Sequence, residues 1–382
     1  MTRLTGAYLT SSTLGEPVRA FVPFCLPPKD PALSPASFEA LNRQAELALA
    51  RLAGMAGLVP SVYWLTYGPL RKEALLTSQI EGTQATLLDL IDDEAGFTVG
   101  NPDDVQEVTN YLRASGLVQD NLRSPSGLAI SVRLLCDAHR LLLDGARGVG
   151  KQPGELRRSQ NWIGGTRPGN AVFVPPPPER IPELLADLER FIHSDTSPLS
   201  PLVKTALVHV QFETIHPFLD GNGRIGRLLI VALLDHWGLL SEPLLYLSSY
   251  FKQHQMEYYR RLGGVRIDGD WESWVSFFLE GVCAAAAEAE SCIAGVASLV
   301  AADRRRLLAS PKAGPASYRL FELLPTMPRF TVERVRQKLE TTFPTANAAV
   351  KVLEELAIVT EKTGQKTKRS YGYQAYIDLL TR

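Results

Sequence analysis

A twelve-residue stretch, from His216 to Arg227, places polar residues between two segments that are almost wholly apolar. Its sequence is His-Pro-Phe-Leu-Asp-Gly-Asn-Gly-Arg-Ile-Gly-Arg. The segment before it, from Pro201 to Ile215, and the segment after it, through Leu234, are typical of helices in a protein core. The chain must therefore fold with a short polar loop between two buried helices.

The residues of this loop are suited to binding a phosphate chain. The second helix is predicted to begin at about Gly223, so its free N–H groups and positive dipole end face the loop. Glycines at 221 and 223 allow an anion to approach the backbone closely. Arg224 and Arg227 lie three residues apart, so both guanidinium groups can reach one anion. The carboxylate of Asp220 is a hard oxygen ligand suited to Mg²⁺.

His216 is the loop residue best able to accept a proton near neutral pH, so it is the candidate general base. Each of these residues taken alone is typical of an ordinary helix start with surface arginines and a hydrogen-bonded histidine. Together, within one short stretch, they predict a site that binds a nucleotide and deprotonates a nucleophile beside it.

The stretch resembles the HPFx(D/E)GNGRxxR signature of the Fic family and matches it at every position. The resemblance implies transfer of AMP from ATP to a Ser, Thr or Tyr hydroxyl of a protein. It implies that His216 takes the hydroxyl proton and that Asp220 holds Mg²⁺. The residues implied to bind ATP in this stretch are Gly221, Asn222, Gly223, Arg224 and Arg227.

Composition limits the class of protein. The chain has 382 residues, 45% hydrophobic and 21% charged, with a net charge of −1. This predicts a globular protein of two or three domains, without a field that attracts nucleic acid or anionic membranes. The four cysteines are scattered, which favours reduced thiols in the cytoplasm. The first twenty residues lack the apolar core of a signal peptide and no run approaches about 18 apolar residues, so we expect neither secretion nor membrane association.

A second predicted feature is a hairpin before the motif. Trp162-Ile163 and Ala171 to Val174 are β-prone, and glycines and a proline lie between them. Such a hairpin could be purely structural, or its edge could take the backbone of a target chain. In the Fic family a hairpin at this place, the flap, docks the protein substrate, and its tip lies near the nucleotide. The flap residues thereby implied to lie at the ATP site are Ile163, Gly164, Gly165 and Thr166.

Two further features complete the predicted ATP site. Tyr258 and Tyr259 follow the motif, and such aromatic residues either belong to the core or stack on an adenine ring. The other feature lies upstream: a helix from Tyr67 to Ile80 ends at Glu81-Gly82, and residues 77–82 match the inhibitory (S/T)xxxE(G/N) motif of many Fic proteins. Alone, Glu81 would be an ordinary solvated helix end.

With the complete core motif, the resemblance implies that Glu81 is inhibitory. A carboxylate paired with Arg227 would remove the cation for the γ-phosphate and misorient ATP for in-line attack. The same carboxylate could orient a water against an AMP-modified hydroxyl and so reverse the modification.

The C-terminal region changes character. Three short helices, at 317–324, 332–339 and 345–356, precede β-prone residues, and this order resembles a winged helix. The turn from Lys362 to Arg369 is basic, but Lys351 of the candidate recognition helix is opposed by Glu354 and Glu355. DNA contact is therefore less favoured than a protein-interaction role.

The sequence thus predicts a mainly α protein with a Fic-type helical core and a β-hairpin flap. The predicted parts are an N-terminal helical region with the inhibitory motif (1–118), a Fic core (119–295) and a winged-helix-like region (296–382). The expected partners are a protein substrate docked at the flap and the chain itself as a target, with a homodimer left open. Two alternatives remain. The same fold could transfer a nucleotide from another donor such as UTP, or transfer a phosphate. The protein could instead be a nucleotide-sensing DNA-binding regulator. The intact Gly221 to Arg224 segment disfavours phosphate transfer, and His216 disfavours the sensor, which needs no base.

Overall fold

The computed structural model describes residues 3–58, 61, 63–145, 148–195, 198–364 and 369–381. In these residues the chain is mainly α-helical, as predicted, with two small antiparallel sheets. The helices are α1 (Glu39–Gly54), α2 (Tyr63–Ile80), α3 (Leu87–Glu94), α4 (Pro102–Arg123), α5 (Val132–Leu142), α6 (Ile181–Ile192), α7 (Pro201–Ile215), α8 (Asn222–His236), α9 (Ser248–Gln253), α10 (Gln255–Asp268), α11 (Trp271–Ala309), α12 (Pro315–Leu323), α13 (Val332–Leu339), α14 (Phe343–Glu355) and α15 (Gln374–Thr381). The strands are β1 (Gly6–Thr13), β2 (Glu16–Pro23), β3 (Arg329–Thr331), β4 (Thr360–Glu361) and β5 (Ser370–Gly372).

Helices α7 and α8 form the centre of the molecule. Every residue of α7 from Leu202 to Ile215 is buried, because α6, α8 and α11 pack around it. A helix buried on all sides is mostly apolar, and each fully buried large apolar side chain contributes roughly 1.5–3 kcal/mol to folding. The buried position of α7 fixes the polar loop that follows it.

Helix α11 is the longest element, and α1 packs along it. It is the one helix of the described residues that is long and apolar enough to cross a membrane, by length and composition only. We did not expect such a segment from the sequence. Trp274 and Phe278 of this helix are fully buried, and Trp274 Nε1 donates to the Ala206 carbonyl of α7 at 2.8 Å. These buried contacts explain why α11 is so apolar: it is a core helix.

The C-terminal region contains the three predicted helices, α12, α13 and α14, close to the predicted bounds. A three-stranded sheet in the order β3-β5-β4 packs beside them. The two predicted domain boundaries both fall inside helices, since α4 runs through residue 118 and α11 through residue 295. Composition does not mark a boundary that lies inside one continuous helix, because the spacing of apolar residues is the same before and after it.

The region around the inhibitory motif differs in detail from the prediction. Helix α2 begins at Tyr63 rather than Tyr67, and it ends at Ile80 as expected. Gly82 follows with a φ of +101°, a backbone conformation that favours glycine. At its other end, the ring of Trp64 is buried beside Tyr376 of α15, with the ring centroids 5.8 Å apart. Helix α2 therefore packs against both the core and the C-terminal region.

Candidate active site

The loop between α7 and α8 is shaped by backbone conformation. His216 ends α7 in the left-handed region, with φ of 50°, and Gly221 precedes α8 with φ of 75°. Between them, the Asn222 side chain accepts from the Phe218 N–H and donates to the Phe218 carbonyl, both at 2.8 Å. Asn222 is buried and its side chain is committed to the loop. Its contribution to anion binding is therefore left to its backbone N–H at the start of α8.

His139 of α5 contacts this loop, and no sequence pattern pointed to it. Its ring stacks on Phe218 with centroids 3.8 Å apart. Nδ1 accepts from the Gly154 N–H at 2.9 Å, so Nε2 carries the proton and donates to the Asp220 carbonyl at 3.0 Å. Burial lowers the pKa of His139 to about 4, which keeps the ring neutral in this tautomer.

The imidazole of His216 is neutral at physiological pH. Burial, together with the nearby cations of Arg157 and Arg266, lowers the pKa of His216 to about 3. The guanidinium of Arg157 also holds the loop, because its Nε donates to the His216 carbonyl at 2.8 Å and its Nη2 donates to the Pro176 carbonyl at 2.6 Å. A neutral imidazole is the form that accepts a proton, so His216 is competent for the predicted role.

Arg227 and Glu81 form an ion pair, with Arg227 Nη2 2.6 Å from Glu81 Oε1. Arg227 is 2% exposed, and its Nε donates to Thr77 Oγ1 at 2.6 Å. A Cβ atom at position 223 would clash with Glu81 Oε1, so Gly223 is required for this close approach. The pairing that the sequence predicted between Glu81 and Arg227 is present.

Arg224 lies one helical turn earlier and also faces carboxylates. Its Nη1 is 3.4 Å from Glu107 Oε2, and its Nη2 is 3.8 Å from Asp220 Oδ1. Arg224 is buried, and its Nε has no hydrogen-bond partner in the described part of the chain. A buried donor without a partner is costly, so an anionic ligand at this position would be stabilised.

Asp220 is the most accessible charged residue of the loop, with 44% of its side chain exposed. Its Oδ1 accepts from the Gly221 N–H at 2.7 Å, and Lys151 Nζ is 3.8 Å from Oδ2. In the described residues no group of three or more His, Cys, Asp or Glu side chains could hold a metal. One exposed carboxylate beside a phosphate site nevertheless fits Mg²⁺, which takes its remaining ligands from water and phosphates.

The flap is present as a short hairpin. Ile163 N–H donates to the Phe173 carbonyl at 2.8 Å, and Phe173 N–H donates to the Ile163 carbonyl at 3.1 Å. Gly164 and Gly165 turn the chain with φ of 67° and 73°. Thr166 N–H donates to Asn170 Oδ1 at 3.0 Å within the same turn. In the described residues, the hydrogen bonds of this tip do not reach residues 221–227, so its part in ATP binding stays a prediction.

The two tyrosines have different environments. Tyr258 is 1% exposed, and its hydroxyl donates to His209 Nε2 at 2.8 Å, while His209 Nδ1 donates to the Gly226 carbonyl at 3.0 Å. Tyr258 also stacks on Phe251, with centroids 4.6 Å apart. It has no free face for a base, so its assignment to ATP binding was wrong and it belongs to the core. Tyr259 is 47% exposed and remains the candidate for stacking.

Glu213 is a buried acid that was not among the predicted site residues. It lies on α7, one turn before His216, and its Oε1 has no hydrogen-bond partner among the described residues. Burial raises the pKa of Glu213 to about 7, and the positive charge of Arg227 opposes this rise. Its place inside an apolar helix could have been noticed, since a carboxyl in such a segment is rarely without a role or a cost.

Comparison with known proteins agrees with this geometry. Residues 129–234 match the model of the Fic/DOC family, and residues 40–119 match that of the Fic/DOC family N-terminal region. The chain is 33% identical over 171 residues to the protein adenylyltransferase Fic of Drosophila yakuba, covering 44% of this chain and 30% of that protein. The Drosophila melanogaster protein of the same name is 32% identical over the same length and shares. The chain thus spans about a third of the length of these curated relatives.

Solved structures show the same fold. A Fic family protein from Desulfovibrio desulfuricans superposes with a TM-score of 0.58 at 24% identity, covering 89% of this chain and 96% of that one. Fic-1 from C. elegans superposes with a TM-score of 0.51 at 21% identity, covering 67% and 74%. The chain therefore contains a Fic/DOC family domain at residues 129–234, preceded by the N-terminal region of that family at residues 40–119.

Proposed function

We propose that this protein transfers AMP from ATP to a Ser, Thr or Tyr hydroxyl of a protein. The observation that carries the proposal is the loop between α7 and α8, where a neutral His216 is followed by the buried guanidinium groups of Arg224 and Arg227. The names of the Drosophila relatives support the same activity. Because the chain spans only about a third of the length of those proteins, their substrates are outside the proposal.

In the proposed reaction, the imidazole of His216 removes the proton of the target hydroxyl. The oxygen attacks the α-phosphorus of ATP, the bond from that phosphorus to the bridging oxygen breaks, and pyrophosphate leaves with the electron pair. Arg224 and Arg227, with the N–H groups at the start of α8, neutralise the phosphate charge. Mg²⁺ held by Asp220 would add charge neutralisation of the departing pyrophosphate.

We also propose that the resting protein is inhibited. Glu81 Oε1 lies 2.6 Å from Arg227 Nη2, so the γ-phosphate would have to compete with this carboxylate for the guanidinium group. ATP bound without this contact would be misaligned, and misalignment strongly lowers the rate of an in-line displacement. Release of Glu81 is then the activating step.

The partners follow as proposals from the same function. The target is a protein segment at the flap, and the chain itself is an accessible target in purified samples. For residues 296–382 we propose a winged-helix domain that binds protein in the cytoplasm rather than DNA, because Lys351 of α14 is opposed by Glu354 and Glu355. Two lysines of the basic turn, Lys366 and Lys368, lie outside the described residues.

The experiment that tests the activity compares nucleotides and label positions. Purified Glu81→Gly protein is incubated with Mg²⁺ and with ATP, UTP, GTP or CTP labelled at the α- or the γ-phosphate. Covalent label from α-labelled but not γ-labelled ATP supports AMP transfer. Label from the γ position would show phosphate transfer instead. Stronger labelling from UTP than from ATP would show that UTP is the donor.

A further inference from the structure

The N-terminal hairpin, formed by β1 and β2, lies before both regions that match the family models. It contacts the flap along β2. The Phe21 N–H donates to the Val174 carbonyl at 2.9 Å, and the rings of Phe21 and Phe173 lie 6.3 Å apart. The flap is therefore not an isolated hairpin, because one of its edges pairs with β2.

The turn of this hairpin also reaches the tip of the flap. Glu16 Oε2 accepts from the Gly169 N–H at 2.9 Å, and Glu16 Oε1 is 3.2 Å from Arg167 Nη1. A Cβ atom on residue 169 would clash with Glu16 Oε2, so the contact requires glycine there. Glu16 thus binds a backbone donor and a side chain of the flap at once, with only 30% of its own side chain exposed.

The hairpin is anchored to the core at its other end. Buried Arg3 donates to the Gly269 carbonyl at 2.9 Å and pairs with Glu272 at 2.8 Å. Gln211 of α7 donates through Nε2 to the Phe24 carbonyl at 2.9 Å. The helix that ends at the catalytic loop therefore holds the base of the hairpin, while its turn holds the flap tip.

These contacts leave one flap edge unpaired. Ile163 uses its N–H and carbonyl within the flap, and Val174 gives its carbonyl to β2. In the described residues, the N–H and carbonyl of Gly164 and the carbonyl of Trp162 make no hydrogen bond, and Gly164 is exposed. An extended chain can therefore pair at the Trp162–Gly164 edge and not at the edge that β2 covers.

We propose that Glu16 is a positioning residue: it holds the flap tip so that the Trp162–Gly164 edge accepts an extended segment of the protein target at a fixed distance from His216. The proposal rests on the proposed transfer function. Glu16 acts through the flap, and in the described residues its side chain contacts neither the loop between α7 and α8 nor Arg224 and Arg227. It is expected to affect target docking and not nucleotide binding.

The first test measures flap mobility and needs no activity. Hydrogen exchange of the peptides covering residues 164–174 is compared in the wild type, Glu16→Ala, Glu16→Gln and Arg19→Ala. Arg19 is a matched control, since it is an exposed charge on β2 that lies over Tyr8 of the same hairpin. We expect exchange about tenfold faster in Glu16→Ala, an intermediate value in Glu16→Gln, which keeps an acceptor, and no change in Arg19→Ala.

Unchanged exchange in Glu16→Ala would overturn the proposal, and so would equally faster exchange in α7, which would indicate general destabilisation.

The second test adds Glu16→Ala to Glu81→Gly and measures self-labelling from α-labelled ATP beside the Kd for ATP. We expect the labelling rate to fall about fivefold with the Kd within about twofold of the parent. A matching loss of ATP affinity would place Glu16 in nucleotide binding and overturn the proposal. Absence of labelling in Glu81→Gly itself would instead overturn the transfer function, while the exchange data still decide whether Glu16 holds the flap.

Discussion

The Glu81 carboxylate lies 2.6 Å from Nη2 of Arg227, across 146 residues of sequence, and a Cβ atom at position 223 would clash with it. Arg227 is buried, whereas about a third of Glu81 is exposed, at 35%. The cation is therefore enclosed by the protein, and the carboxylate is the partner that solvent and a ligand can reach. An incoming phosphate would displace Glu81 rather than draw Arg227 away.

We expect Glu81→Gly to raise transfer activity, most visibly as self-labelling from α-labelled ATP. Removal of the carboxylate frees Arg227, and a charge-assisted contact of a part-exposed pair contributes about 1–2 kcal/mol, or about a tenfold change in rate. The measurement is an autoradiograph of wild type beside the variant at equal protein and ATP.

The control is the double variant Glu81→Gly/Arg227→Ala. Because the cation that the substitution frees is then missing, the gain should disappear. A single variant no more active than wild type would contradict inhibition by Glu81. A double variant as active as the single one would show that Glu81 acts on something other than Arg227.

His216→Ala is expected to abolish transfer, with a loss of at least about a hundredfold, because His216 is the loop residue best able to accept the hydroxyl proton near neutral pH. ATP affinity should stay within about threefold of the parent, since Arg224 and Arg227 remain. The test uses the Glu81→Gly background, so that activity is high enough to measure the loss. Turnover within a few-fold of the parent would remove His216 from the role of base.

Asp220→Ala is expected to lose Mg²⁺-dependent activity, because the loop would lack its carboxylate for the metal. Asp220→Asn serves as the comparison, since it keeps an oxygen ligand without the charge. It should still depend on Mg²⁺ but bind the metal more weakly, with a higher half-saturating concentration. The measurement is initial rate against Mg²⁺ concentration. An unchanged rate and half-saturating concentration in Asp220→Ala would place the metal on other residues.

Much of the fold and the loop could be predicted from the sequence because the signals are local. Two apolar segments around a polar stretch predicted α7 and α8 with a short polar loop between them. The partner of Arg227 could also be predicted, although only through a family motif. Spacing along the chain cannot reveal a contact between residues 146 positions apart.

The parts that were missed depend on tertiary packing. Tyr258 and Tyr259 are neighbours in sequence, yet one is buried against His209 and the other is half exposed, because successive residues of a helix face different directions. His139 and Arg157 hold the loop through backbone carbonyls, which accept hydrogen bonds regardless of sequence. No pattern of residue types could identify such contacts.

The last prediction concerns Glu213, the buried acid one turn before His216. Burial raises its pKa from an ordinary 4.5 to about 7. Between these values the folded protein keeps a proton that the unfolded chain has lost. Its contribution to the free energy of unfolding is therefore fully present below about pH 4.5 and is lost as the pH rises through about 7.

Glu213→Gln keeps the shape of the side chain and cannot ionise, so it should leave Tm little changed at about pH 4, where the carboxyl is protonated in both states, and raise it by about 3 °C or more at about pH 8.5. The measurement is thermal unfolding of both proteins at the two pH values. The buried histidines His139, His209 and His216 have lowered pKa values, so their own contribution is lost as the pH falls below about 6.5, equally in both proteins. Only the difference between variant and wild type reports on Glu213. An equal difference at both pH values would show that the carboxyl does not titrate in this range and that its burial is compensated by a neighbouring cation.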